Sequence, residues 1–220
     1  MEATWGGYKE LVWLLLDYGA STDVQDDRGR SALRFAMQKG YDSIAWLLLE
    51  KSAALNMADT KGRTALHWTA QNSNTSMAWL LLEKGAEIDA QDIEGHTALH
   101  FAVQRGNTEM IKLLLGKHAN VTLKDAQGYA ALHHAVERKD ASIMNLIVDT
   151  LERSRLDVNA KDNEGKTALV RAVQGQWMLG VYILTDRKAA IDLPDCNGQT
   201  AASHAKLNGD TQILQLLEQR

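Results

Sequence analysis

The pattern Asp-x-x-Gly recurs along this chain with a nearly fixed period, and such a recurrence restricts the fold to a repeat architecture. The glycines are Gly29, Gly62, Gly95, Gly128, Gly165 and Gly198, separated by 33, 33, 33, 37 and 33 residues. Each follows an aspartate three residues earlier: Asp26, Asp59, Asp92, Asp125, Asp162 and Asp195. A short block comes next: Ser31-Ala32-Leu33-Arg34, Thr64-Ala65-Leu66-His67, Thr97-Ala98-Leu99-His100, Ala130-Ala131-Leu132-His133, Thr167-Ala168-Leu169-Val170 and Thr200-Ala201-Ala202-Ser203. Further on lies an apolar block such as Trp46-Leu47-Leu48-Leu49 or Trp79-Leu80-Leu81-Leu82.

Elementary physics turns this pattern into a structural unit. Asp-x-x-Gly is a turn whose glycine supplies a positive φ. The Ser or Thr that follows accepts a hydrogen bond from an orphan helix N–H. A short first helix is predicted from Ser31 to Lys39, ended by Gly40 at the C′ position. A second helix carries Ile44, Leu47 and Leu48 at the i, i+3, i+4 spacing of a buried stripe. One such pair cannot bury its own apolar face, whereas stacked pairs make a continuous core.

These residues resemble the ankyrin repeat, whose pattern runs Asp-x-x-Gly-x-Thr-Pro-Leu-His-x-Ala-Ala and closes on Gly-Ala-Asp-Val-Asn. Thr97-Ala98-Leu99-His100-Phe101-Ala102 and Gly85-Ala86-Glu87-Ile88-Asp89-Ala90 are near matches. The resemblance covers essentially the whole chain. It implies an all-α ankyrin-repeat solenoid of stacked helix-turn-helix pairs with short hairpin fingers at one edge. The expected organisation is a single domain, 1–220: a partial repeat 1–25, repeats 26–58, 59–91, 92–124, 125–161 and 162–194, and a capping repeat 195–220.

The departures from the pattern are informative. The family's proline at the first helical position is alanine throughout, at Ala32, Ala65, Ala98, Ala131, Ala168 and Ala201, which loses only some preorganisation. Ser73, Lys139 and Gln176 replace the helix-ending glycine, at a cost on the order of 1 kcal/mol each if they adopt a positive φ. The fourth repeat carries extra residues within Asp149 to Arg155, expected to lengthen its second helix or exit loop. The fifth places Gly180 where the others have Ile44, Met77, Met110, Ile143 and Ile213, a missing core side chain unless Trp177 or Met178 fills it. At the ends, Ala3 to Ala20 aligns with Ala36 to Ala53, so the chain is expected to start inside a first helix, as the C-terminal part of a longer protein would. Asp210 to Arg220 is expected to act as a polar cap.

Composition excludes several function classes. The net charge is -4 and no lysine or arginine run builds a basic stripe, so nucleic-acid binding lacks its electrostatic footprint. The longest apolar runs, such as Leu11 to Leu16, are far short of the roughly 20 residues of a membrane span. A single cysteine, Cys196, leaves no internal disulfide and no cysteine-based zinc site, and suits a reducing interior, cytoplasmic or nuclear. There is no phosphate loop, no His-Glu-x-x-His and no Gly-x-Ser-x-Gly, so neither an enzyme, a metal nor a cofactor is expected. The resemblance implies that His67, His100 and His133 are structural.

Binding is the expected function, to a partner protein or peptide. In the family the first helices line a concave groove. The residue after the repeat histidine reads Phe35, Trp68, Phe101, His134 and Arg171 down the stack, and the residues three and four later read Gln38, Gln71, Gln104, Glu137, Gln174 and Asn72, Arg105, Arg138. An aromatic strip flanked by amides and arginines has the composition of an interface core with a polar rim, and the other reading is that these aromatics are partly buried groove packing. Finger tips such as Arg28, Lys61 and Glu94 offer a second set. The other reading is a small-molecule or catalytic pocket in the irregular repeats, using His134, Glu137, Arg171 and Trp177. A further aromatic row, Trp13, Trp46, Trp79 and Tyr182, falls on the convex side, where the family usually has a polar residue. Either it lies half-buried against neighbouring stems, or it docks a missing N-terminal region or a second copy.

Overall fold

The computed structural model describes residues 1–220 and contains fourteen helices, which form two compact units, Met1–Ala119 and Asn120–Arg220. None of the helices is long and apolar enough to cross a membrane.

The first unit holds α1 (Glu2–Trp5), α2 (Lys9–Asp17), α3 (Ala32–Lys39), α4 (Asp42–Glu50), α5 (Ala65–Gln71), α6 (Thr75–Glu83), α7 (Ala98–Arg105) and α8 (Thr108–Gly116). The odd-numbered helices pack in sequence, each with its even-numbered partner behind it. The expected capping chemistry is present. Ser31 Oγ accepts the Arg34 N–H at 3.2 Å, and Gly40 ends α3 in the left-handed region at φ 71°. The small repeat alanines Ala36, Ala70 and Ala102 are fully buried where first helices meet, and Ile44, Leu48, Leu81 and Leu114 fill the layer behind. In α2 only Val12 is buried, and Leu11, Leu14 and Leu15 are exposed.

The second unit holds α9 (Ala131–Glu137), α10 (Ala141–Arg153), α11 (Ala168–Gln174), α12 (Met178–Asp186), α13 (Ala201–Leu207) and α14 (Thr211–Glu218). The extra residues of the fourth repeat lengthen its second helix: α10 has 13 residues where α12 has 9. Its Ile147, Val148 and Leu151 continue the buried stripe, which keeps the insertion helical. Ser73, Lys139 and Gln176 do sit at positive φ, 60°, 55° and 50°. The gap at Gly180 is filled by Trp177. A Cβ on Gly180 would fall 2.1 Å from the Trp177 ring. On α14, Ile213 and Leu217 are buried and Gln212, Gln215 and Glu218 face solvent.

Candidate functional site

Each finger is built around its aspartate. In Asp59, Oδ1 accepts the N–H groups of Lys61 (2.9 Å) and Arg63 (3.0 Å), which closes the turn. Asp162 does the same with Glu164 and Lys166, both at 2.9 Å. The other oxygen binds a cation. Arg30 Nε reaches Asp26 at 2.6 Å, Arg34 reaches Asp59 at 3.5 Å, and Arg171 Nε reaches Asp162 at 2.8 Å. His134 and His204 donate to Asp125 and Asp195 at 2.8 and 2.9 Å. Successive fingers are also joined through backbone, Thr60 N to Arg28 O and Ile93 N to Lys61 O in the first unit, Asn163 N to Gln127 O and Cys196 N to Glu164 O in the second.

The repeat histidines have the structural role that the resemblance implied. His67 Nδ1 accepts the Thr64 N–H at 3.0 Å, which leaves its Nε2–H to donate to His96 O at 3.0 Å. His133 repeats this with Ala130 N and Lys166 O, both at 3.3 Å. These bonds use neutral imidazole, and burial holds both histidines below their ordinary pKa. The carboxyls of Asp26 and Asp195 lie at about 2, held down mainly by the Arg30 side chain and by the Gln199 N–H respectively.

The pH dependence follows. A histidine depressed in the folded state binds its proton more readily when unfolded, so stability is full above about pH 6.5 and falls as pH drops through the folded value. The two aspartates add stability that is present above about pH 4 and lost toward pH 2. Thermal melts should therefore show a Tm that declines from pH 7.5 to 5 and declines again below pH 4. A Tm flat across pH 5 to 7.5 contradicts the histidine assignment.

The aromatic row is largely covered, as the groove-packing reading has it. Phe35 is 5% and Trp68 7% exposed, and Phe101 is half-buried. Arg34 and Arg63 each place a guanidinium 4.4 Å from the Trp68 ring, and Arg30 lies 4.9 Å from Phe35. His96 covers Phe101 at 5.3 Å. The reason is the aspartate's second oxygen. In repeats four and five the row residue itself donates to its own finger's aspartate, His134 to Asp125 and Arg171 to Asp162. In the first unit the row residue is apolar, so the cation comes from the finger's own turn, Arg30 or Arg63, or from the preceding first helix, Arg34, and lies across the ring, a favourable cation–π contact. These aromatics pack against cations within the fold. The pattern was visible in the sequence as a switch from aromatic to cationic residues in one register, but Arg30, Arg34 and Arg63 were missed as the groups that bridge it.

Other predicted residues divide the same way. Gln38 accepts from Arg34 at 2.7 Å. Asn72 Nδ2 donates to the carbonyls of Met37 and Gln38, both at 2.9 Å, and so caps α3. Gln71, Gln104 and Arg105 reach solvent on the first-helix face of the first unit. In the second unit Glu137 and Arg138 are exposed, and Gln174 contacts His204 at 3.3 Å. A groove of about 250 Å³ is lined by Glu137, Lys139, Arg171, Gln174 and Trp177. Its cation is committed, because Arg171 pairs with Asp162 and with Glu164 (3.1 Å) and lies over Tyr129. His134 is equally committed to Asp125. His134 and Arg171 of the catalytic reading thus hold fingers in place, while Trp177 packs against Gly180 and Glu137 is exposed. On the second-helix face, Trp13, Trp46, Trp79 and Tyr182 are each about half exposed.

Stacked helix pairs joined by aspartate-centred turns define a helical-repeat scaffold of the ankyrin type. The family described as ankyrin repeats (3 copies) matches residues 1–92 and 89–162, and the chain belongs to it. Among solved structures it is similar to the ankyrin repeat domain of Bcl-3, described as a unique member of the IkappaB protein family. The two are 26% identical with a TM-score of 0.85, covering 98% of this chain and 96% of that one. No curated protein matches the chain. Ankyrin repeats are generally protein-interaction modules.

Proposed function

We propose that this chain is a non-enzymatic scaffold that binds a partner protein or peptide across its first-helix face and finger tips. The observation that carries the reading is the division of labour on that face. Fingers and first helices are locked by aspartate–cation and arginine–aromatic contacts, while Gln71, Gln104 and Arg105 reach solvent above them. Polar groups on a rigid platform bind with little loss of conformational freedom. Their amides and guanidinium suit an extended, polar or acidic segment.

The buried state of Trp68 and Phe35 changes which substitutions are informative, since truncating either disturbs the fold. Instead, Gln104→Ala with Arg105→Glu should leave the circular dichroism spectrum and Tm unchanged. It should weaken a partner found by affinity capture about tenfold or more in a calorimetric titration. Equal affinity for both forms places the partner elsewhere on the molecule.

A further inference from the structure

The exposed tryptophans share a second feature. Four residues after each, one helical turn on, stands a carboxylate: Asp17 after Trp13, Glu50 after Trp46 and Glu83 after Trp79, all exposed. Between α2 and α4 this face forms a groove of about 560 Å³, lined by Lys9, Glu10, Trp13, Trp46, Leu47 and Glu50. The second unit carries the same pair in the same register, Tyr182 and Asp186, and there it is filled. The Arg220 guanidinium lies 5.4 Å from the Tyr182 ring centroid and 3.6 Å from an Asp186 oxygen. An aromatic face and a carboxylate one turn apart therefore receive one arginine in this molecule.

We propose that Trp13/Asp17, Trp46/Glu50 and Trp79/Glu83 are three copies of this arginine receptor and together bind an arginine-rich segment of a partner protein. Each guanidinium stacks on an indole and pairs with the carboxylate beside it. Charge selects the occupant: Glu10 and Glu50 outnumber Lys9 around the groove. Glu83 already draws the Lys117 ammonium, an exposed pair that a competing cation displaces at small cost. Spacing selects the occupant's form. Neighbouring packed helices lie roughly 8–10 Å apart, and a polyproline II segment presents every third side chain on one face about 9 Å apart. Arginine at every third position matches the ladder, which ends where Lys112 replaces the tryptophan.

A synthetic peptide with three arginines at that spacing, and its citrulline counterpart, test this with the full chain. Citrulline keeps the shape and removes the charge. The arginine peptide should quench tryptophan fluorescence and bind at least tenfold tighter than the citrulline peptide, with affinity falling as salt rises. Trp46→Ala should cost about two- to fivefold, Trp46→Ala with Glu50→Gln about tenfold, and Glu50→Gln alone provides a form in which no packing is lost. Gln104→Ala with Arg105→Glu should bind this peptide normally, so failure here and failure of the first-helix face are separable. Equal binding of the two peptides, or of wild type and Glu50→Gln, overturns the proposal. So does sedimentation showing that the chain pairs with itself through Trp46 and that the peptide does not compete.

Discussion

Gly180→Ile should destabilise the protein by about 2–3 kcal/mol, and adding Trp177→Asn should recover most of that loss. In repeats two to four the position of Trp177 holds a side chain that caps the second helix, Asn74, Asn107 or Asp140, and the position of Gly180 is a large buried residue, Met77, Met110 or Ile143. Repeat five exchanges both. Trp177 gives up the cap bond and lays its ring where a side chain on residue 180 would stand. Isoleucine alone therefore collides with the indole. Asparagine alone restores the cap but leaves a void, at about 2 kcal/mol net. Together they rebuild the usual arrangement, so the double-mutant cycle should give a coupling of about 3 kcal/mol. Urea unfolding followed by circular dichroism measures it. Additive losses mean that the two positions do not share the space.

The second large effect is expected at a finger. Asp162→Ala should cost about 3–5 kcal/mol, because Asp162 accepts two backbone N–H groups and the Arg171 guanidinium while nearly buried. Alanine leaves the two donors of the turn unpaired and Arg171 with only the exposed Glu164. Asp162→Asn keeps an acceptor for the turn but loses the charge, and should cost about half as much. Adding Arg171→Met to Asp162→Asn should recover part of that, since no unpaired cation remains. An Asp162→Ala loss below about 1 kcal/mol is the result expected of an ordinary exposed pair, and it removes the aspartate from the centre of the finger.

Much of this protein was legible in one dimension. The period of the Asp-x-x-Gly turns, the caps at Ser31, Thr64 and Thr97, the helix-ending Gly40 and the apolar spacing around Ile44 and Leu48 all act within a few residues. Local hydrogen bonding and helix periodicity therefore specified the repeat unit. The same locality marked Ser73, Lys139 and Gln176 as substitutes for the helix-ending glycine and put the extra residues of repeat four in its second helix or exit loop. Exposure was not legible in this way. Phe35 and Trp68 stand in the row offered as a partner surface, and arginines cover them: Arg30 and Arg63 from the turn of the same repeat, and Arg34 from the first helix of the preceding one. His134 and Arg171 stand in the same row and turn instead to the aspartates of their own fingers. The pairing of Arg220 with Tyr182 and Asp186 spans still more of the chain, and from it the tryptophan ladder is read as a set of arginine receptors. Sequence by itself determined which unit repeats, because that depends on neighbours along the chain. Only the tertiary structure decided which side chains remain free, because a charged group binds whichever opposite charge or aromatic face folding brings near.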